Sequence, residues 1–154
     1  MFKEIRRKDR KIETSEAIDI LKKCEYGILS TVDENGYPYG VPLSYVYANN
    51  AIYFHSAVEG HKLENIKNND KVSFCVVGQT DLLPDKFSTK YESVIIFGRA
   101  KELFQDEKNE AFLELINKYS KDYIEKGKGY IKNASAKTKV IKLSIDYISG
   151  KARR

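Results

Sequence analysis

The chain has 154 residues, a net charge of +5 and 42% hydrophobic residues, a balance that excludes a disordered or fibrous protein. A chain of this length buries roughly 68–70% of its unfolded surface, so it needs no disulfide or structural metal. No stretch approaches the roughly 20 apolar residues of a membrane span, and no apolar signal core follows the charged N-terminus. We therefore expect one soluble, cytoplasmic domain over residues 1–154.

Charge and cysteine content give little further direction. Lys and Arg alternate with Glu and Asp along the chain, and only the two ends, 6–11 and 151–154, are clearly basic. Solvated termini explain this pattern better than a nucleic-acid surface, although a basic barrel that binds nucleic acid stays an alternative. The two cysteines, Cys24 and Cys75, lie in apolar runs and are expected to be buried free thiols.

The first half of the chain predicts one helix and three strands. Pro38 and Pro42 cannot donate to a β-ladder, so the strand that carries them is predicted at a sheet edge or at a bulge. In the third strand, alternation places Ile52 and Phe54 on one face and His55 on the other. The predicted elements are a helix that is N-capped by Thr14 or Ser15 and continues to Cys24, and strands 26–32, 37–47 and 51–56, with turns at 33–36 and 48–50.

The second half predicts three more strands and further helices. Gly98 interrupts a long apolar strand and indicates a bulge, while Gly127 and Gly129 are expected to end the helical pattern. The predicted elements are a short helix 59–68, a strand 71–77, a loop 78–90, a strand 91–104, a helix from Asp106 through Tyr119 and a strand 138–145. The result is a mostly β protein, an antiparallel barrel or sandwich with flanking helices, and no Rossmann sheet.

One stretch, from residue 52 to residue 63, indicates chemistry. His55 and Ser56 end a strand, and Gly60, His61 and Lys62 follow at the start of a helix. Free backbone N–H groups at a helix start bind anions, and a hydroxyl, an imidazole and an ammonium nearby favour a phosphate. A solvated helix start with surface Lys and His remains the plainer interpretation of the same residues.

An ordered set of short motifs adds a resemblance. The chain resembles the pyridoxamine 5′-phosphate oxidase-related flavoproteins, and it is most similar to the branch that includes the nitroimidazole-resistance proteins. The motifs are RRKDR at 6–10, CEYGILST at 24–31, YGVPLSY at 39–45, YFHS at 53–56, GHK at 60–62, YESV at 91–94, GRA at 98–100 and ISGKA at 148–152.

The resemblance implies an antiparallel, Greek-key split β-barrel that binds FMN at the interface of a homodimer. It implies that the backbone of Val41, Pro42, Leu43 and Ser44 faces the flavin ring and that Ser93 lies near the ring. It also places His55 and Ser56 beside the flavin, with His61 and Lys62 on its phosphate. His61 stands where the oxidases have Arg, and Gly40 and Tyr45 stand where they have Arg and Lys. The change at Gly40 and Tyr45, together with the absence of evident basic residues for the substrate phosphate, argues against oxidation of pyridoxamine phosphate itself.

The leading hypothesis is therefore an FMN-dependent oxidoreductase that acts on a nitroaromatic, a quinone or a similar small molecule, with His55 as the catalytic residue. A non-catalytic flavin- or haem-binding module of the same fold is the alternative. We expect neither a nucleic acid nor a membrane as partner. A zinc site from the histidines and cysteines lacks ligand spacing, and Cys24 has no histidine nearby in sequence to activate it.

Overall fold

The computed structural model describes residues 1–154. Eight strands and four helices alternate with short turns, and most strands lie next to their neighbours in sequence. The strands are β1 (Lys11–Ile12), β2 (Tyr26–Val32), β3 (Pro38–Ser44), β4 (Val46–Ala48), β5 (Ala51–Ser56), β6 (Lys71–Leu83), β7 (Ser88–Leu103) and β8 (Lys139–Arg153); the helices are α1 (Thr14–Lys23), α2 (His61–Asn68), α3 (Gln105–Tyr119) and α4 (Ile124–Ala134).

All strands belong to one antiparallel sheet with the order β3-β2-β6-β7-β8-β5-β4, and β1 pairs with β8. Strands β3 and β4 are separated only by Tyr45, yet they lie at opposite ends of this order. The sheet therefore curls back on itself and leaves a split between these two strands, which confirms the predicted split barrel. The edge position predicted for the strand with Pro38 and Pro42 is also confirmed. No helix is long and apolar enough to cross a membrane.

Two hydrophobic clusters lie on either side of β5. Ile52 and Phe54 are completely buried inside the barrel, whereas Tyr53 belongs to a second cluster under α3 that includes Phe112 and Leu115. This arrangement confirms the predicted alternation of β5. It also explains why α3 has a continuous apolar stripe, because that stripe covers the outer side of β5.

Tyr45 interrupts the strand that was predicted to run from residue 37 to residue 47. Its ring is completely buried in the barrel, and its hydroxyl donates to the carbonyl oxygen of Leu21 at 2.6 Å. Its backbone N–H donates to the hydroxyl of Tyr119 at 2.9 Å, and its carbonyl oxygen accepts from the ammonium of Lys118 at 2.9 Å. Side chains from α3 thus replace the ladder partners that Tyr45 lacks.

Three boundaries differ more widely from the sequence prediction. The predicted loop 78–90 is mostly a hairpin, because β6 continues to Leu83 and pairs with β7 after a register shift between Val77 and Thr80. Strand β8 continues through the basic C-terminus to Arg153, in register with β7. Gly127 and Gly129 lie within α4 and do not end it.

Local turns and caps were partly predicted. Gly36 has a φ of 85°, but the positive φ pair typical of a tight hairpin occurs at Asn49 and Asn50, with 51° and 57°. The N-cap of α1 is Glu13 and not the predicted Thr14 or Ser15, and the backbone N–H of Glu13 donates to the Glu16 carboxylate. The predicted bulge at Gly98 is confirmed, since the pairing of β7 with β8 shifts register between Phe97 and Gly98. A Cβ on Gly98 would also lie 2.1 Å from the carbonyl oxygen of Ser144.

A broad surface of the sheet, from β3 to β8, faces away from the core. We call it the outer face. Its exposed apolar side chains include Val77, Ile95 and Phe97 of β6 and β7, with exposed fractions of 56%, 40% and 39%, and also Tyr26 and Val32 of β2. No Asp, Glu, His, Lys or Arg lies among its central residues, which in strand order are Pro42, Ile28, Cys75, Ile95 and Ser149.

Candidate functional site

Ser44 and His55 lie together where the barrel is split. Ser44 is the last residue of β3, and His55 lies in β5, the strand that pairs with β4. Because the chain turns from β3 to β4 at Tyr45, the end of β3 is carried to the same side of the barrel as β5. Both side chains line a cleft of about 790 Å³ that continues between α3 and α4.

The imidazole of His55 points out of the barrel, as predicted, and packs edge-on against Phe112 with 5.9 Å between ring centroids. Burial and the nearby charge of Lys62 both lower the pKa of His55 below its ordinary value of 6.5. The ring is therefore neutral at pH 7. A neutral imidazole has one N–H donor and one acceptor nitrogen, so it can either hold or receive a proton.

The start of α2 carries donors that have no acceptor. The first helical bonds run from the N–H groups of Leu63 and Glu64 to the carbonyl oxygen of Gly60, and no side chain caps the helix. This leaves the N–H groups of His61 and Lys62 without a backbone acceptor. The ring of His61 packs on Tyr39 at 4.1 Å, and Lys62 has no carboxylate within 4.0 Å.

Ser56 lies in the chain between His55 and the start of α2. Its side chain is only 8% exposed, and its hydroxyl donates to the carbonyl oxygen of Ala57 at 2.6 Å. The buried amide of Asn65 donates to the hydroxyl of Thr31 at 2.9 Å and holds α2 against β2. The helix start is therefore fixed next to the end of β5.

The predicted flavin residues of β3 have side chains on two opposite sides of the strand. Val41 and Leu43 pack against the core, so only their backbone is available to a ligand. Pro42 and Ser44 lie on the opposite side of the strand and are exposed. Because β3 pairs with β2 alone, part of its backbone has no partner strand.

Ser93 is not brought to the other predicted residues. It lies on the outer face, paired with Val77 on one side and Lys151 on the other. Strand β7 is three strands away from β3, or roughly 14 Å at the usual strand spacing. Within one chain, Ser93 therefore lies apart from the other predicted residues, which gather on β3, on β5 and at the start of α2.

The cleft beside His55 also contains residues that the sequence did not indicate. Its far wall carries Tyr123, Lys126 and Tyr130 from α4 and the turn before it, opposite Tyr119 of α3. Residues 123, 127 and 130 have the spacing of four and three that marks one helix face. This spacing could have predicted the helix that forms the far wall. It was not used because Gly127 and Gly129 indicated that the helical pattern ends.

Other reactive side chains do not form a cluster. No group of three or more His, Cys, Asp or Glu side chains is arranged to hold a metal ion. Cys24 and Cys75 are free and half-buried, and burial raises the pKa of both thiols. Both are therefore protonated at neutral pH, which is the unreactive form of a cysteine.

Comparison with known proteins gives a family and several solved structures. The family model described as pyridoxamine 5′-phosphate oxidase matches residues 14–152. A candidate 5-nitroimidazole antibiotic resistance protein from Bacteroides thetaiotaomicron has 26% identity and a TM-score of 0.80, over 92% of this chain and 85% of that chain. No curated protein matches the sequence.

Two more distant structures share the fold. An FAD-binding protein from Mesorhizobium loti is 24% identical, with a TM-score of 0.66 over 94% of this chain and 98% of that one. An FAD and haem binding protein from Mycobacterium smegmatis is 16% identical, with a TM-score of 0.82 over 92% of this chain and 72% of that one. The family model covers nearly the whole sequence, so the chain belongs to the pyridoxamine 5′-phosphate oxidase family.

Proposed function

We propose that this protein binds FMN at the split of its barrel and works, as a homodimer, as an oxidoreductase on small molecules. The observation that carries this proposal is the gathering of Ser44, His55, Ser56 and Lys62 beside a helix start whose N–H groups have no acceptor. Membership of the family supports it, as does the FAD bound by the relative from Mesorhizobium loti.

The FMN phosphate fits the start of α2. Its charge of roughly −1.5 to −2 at neutral pH would meet the positive end of the helix and the unpaired ammonium of Lys62. The N–H groups of His61 and Lys62 would supply hydrogen bonds, and the hydroxyl of Ser56 would join them by exchanging its bond to the carbonyl oxygen of Ala57 for one to the phosphate. No carboxylate of the protein neutralises Lys62. A phosphate bound to Lys62 would therefore reduce the repulsion between the Lys62 ammonium and the protonated imidazole of His55.

The flavin ring fits the free edge of β3. Backbone groups of residues 41–44 would bond the polar edge of the ring, while Val41 and Leu43 keep the strand anchored in the core. Bound FMN supplies the electron and hydride chemistry. The residues of this chain orient the ring and its substrate, and His55 holds or receives the proton at its imidazole nitrogen.

The substrate is not pyridoxamine phosphate. Gly40 and Tyr45 stand where the oxidases have basic residues. Gly40 has no side chain, and Tyr45 is completely buried with its hydroxyl bonded to Leu21. Neither residue supplies the positive charge that the oxidases have at these positions, which favours a substrate other than pyridoxamine phosphate.

A second copy of the chain is the partner that fits the outer face. That face exposes apolar side chains, and its central residues carry no charge. Ser93 lies on it, away from the flavin residues at the split of the same barrel. A homodimer formed through this face would bring Ser93 of one protomer toward the flavin of the other, as the predicted interface site requires.

The test is a comparison of FMN and riboflavin binding. Lys62→Ala should raise the Kd for FMN about ten-fold or more, since a bond to a charged group is worth roughly 1.5–3 kcal/mol. Riboflavin has no phosphate and should be unaffected. Lys67→Ala, an exposed lysine at the far end of the same helix, is the matched control. Both affinities can be measured by quenching of flavin fluorescence.

An equal loss of FMN affinity in Lys62→Ala and Lys67→Ala would show that the phosphate does not bind at the start of α2. Turnover needs a separate measurement, the rate at which NADH or NADPH reduces the bound flavin. Tight FMN binding without reduction by any donor would make the protein a flavin-binding module, not an enzyme.

A further inference from the structure

We propose that the cleft between α3 and α4 binds a planar aromatic anion as the reaction partner of the flavin. We call this site the tyrosine cleft and define it by His55, Phe112, Tyr119, Tyr123, Lys126 and Tyr130. The assignment rests on the proposed function for its redox role, but the binding site itself follows from the walls of the cleft.

The position of the cleft separates it from the flavin residues. Of the predicted flavin residues, only Ser44 and His55 line it. It therefore begins at the expected position of the flavin ring and runs away from it between the two helices. Its volume of about 790 Å³ lies within the range of small-molecule sites, roughly 300–1,000 Å³.

The walls are aromatic and incompletely buried. Phe112 contacts the imidazole of His55 on one side and the ring of Tyr130 on the other, with 6.2 Å between the centroids of Phe112 and Tyr130. Tyr119, Tyr123 and Tyr130 all direct exposed ring surface into the same space. A flat ring placed between them would cover this surface and add aromatic stacking.

The charge of the cleft selects an anion. Lys126 is the one charged side chain that lines it, and no carboxylate lies within 4.0 Å of its ammonium. The acidic residues Glu110 and Glu114 of α3 line a different depression on the other side of that helix. An aromatic cation would therefore meet Lys126 without any compensating acid, whereas an aromatic carboxylate would pair with it.

The direct test uses 2-naphthoate, which is aromatic and anionic and cannot be reduced by the flavin. Its binding to the full-length protein is measured by calorimetry, with and without FMN, beside its neutral analogue 2-naphthalenemethanol. Lys126→Gln should weaken 2-naphthoate roughly two- to five-fold, as expected for an exposed charge pair, and leave the alcohol unchanged. Tyr130→Ala should weaken both compounds by roughly two- to ten-fold through lost stacking.

Lys128→Gln is the control, because Lys128 lies on the same helix, pairs with Glu125 at 3.1 Å and does not line the cleft. Equal effects of Lys126→Gln and Lys128→Gln, or no naphthoate binding, would overturn the proposal. So would a Tyr130→Ala variant that loses affinity for FAD but not for FMN or naphthoate, because the cleft would then hold the adenine half of FAD. Failure of the proposed function would appear separately, as loss of FMN binding by the unmodified protein.

Discussion

The state of His55 at neutral pH is set by two neighbours that act in the same direction. Packing against Phe112 removes water from the ring, and the ammonium of Lys62 repels a proton on it. Both effects lower the pKa of His55, so the neutral ring is the form present above about pH 6.5. A phosphate bound to Lys62 would reduce this repulsion and shift the proton affinity of His55 upward, which couples cofactor binding to protonation.

Removal of the Lys62 charge should raise the pKa of His55. The sign follows from the repulsion, since Lys62→Ala leaves the imidazolium without a nearby like charge. NMR titration of the ring protons measures this pKa directly, and the chain has only two histidines, so His61→Gln completes the assignment. Lys67→Ala is the control and should leave the pKa unchanged. An equal or lower pKa in Lys62→Ala would show that burial alone lowers it.

At the scale of elements, the split of the barrel depends on the C-terminal end of α3. The hydroxyl of Tyr119 accepts from the N–H of Tyr45, and Lys118 donates to the carbonyl oxygens of Cys24 and Tyr45 at 2.6 and 2.9 Å. The Lys118 ammonium also lies 3.8 Å from the centre of the Tyr45 ring. One helix end thus fixes the bend between β3 and β4, and with it the position of Ser44 relative to His55.

Tyr119→Phe should destabilise the fold by roughly 1–3 kcal/mol, because it leaves the N–H of Tyr45 without an acceptor. Tyr123→Phe is the matched control, since Tyr123 is exposed and makes no hydrogen bond through its hydroxyl. Urea denaturation gives both free energies of unfolding. A loss in Tyr119→Phe no larger than in Tyr123→Phe would mean that water satisfies Tyr45 as well as the tyrosine does.

The two glycines of α4 allow a second matched comparison. A Cβ on Gly127 would lie 2.7 Å from the Cγ2 atom of Ile116, whereas a Cβ on Gly129 would contact nothing within 4 Å. Gly129→Ala should therefore stabilise the protein by up to about 1 kcal/mol through helix propensity. Gly127→Ala should be destabilising, since overpacking costs roughly 1–3 kcal/mol and exceeds that gain. Thermal unfolding separates the two variants, and equal shifts in Tm would show that α4 does not pack closely on α3.

This packing also explains which elements could be predicted from the sequence. The alternating or apolar patterns of β2 and β5 are sufficient by themselves to predict these strands. The motifs that place His55 and Ser56 at the end of β5 could be recognised in the same way. Helix α4 contains two glycines that disfavour a helix in isolation, and it forms where Gly127 permits close contact with Ile116. The polar ends of β6 and β8 are strands only because β7 pairs with them. The far wall of the tyrosine cleft depends on α4 and was missed for the same reason.

At the scale of the whole molecule, the curled sheet has one side filled by the core; on its other side α3 covers β5, whereas the outer face from β3 to β8 is left open. The centre of the outer face carries small and apolar residues at neighbouring positions of five strands. Phe2 already covers part of it, stacked on Phe97 and Tyr147 at 5.3 and 5.2 Å. Ile95 and Val77 lie exposed on neighbouring strands of the same face. Exposed apolar side chains grouped in this way are the basis on which we propose that a second copy of the chain binds here.

Ile95→Lys should convert the proposed dimer into a monomer. Ile95 is 40% exposed in the single chain, so a lysine there leaves folding nearly intact, but in the dimer its charge would be buried without a partner. The mass measured by sedimentation should change from twice 17.7 kDa to 17.7 kDa at micromolar concentration. Phe104→Lys changes an exposed apolar residue before α3 and outside the outer face, and it should leave the dimer unchanged.

FMN affinity should fall together with dimerisation in Ile95→Lys, because the flavin would lose the contribution of the partner protomer. A monomeric Ile95→Lys variant that binds FMN as tightly as the unmodified protein would place the whole flavin site within one chain and separate it from the outer face.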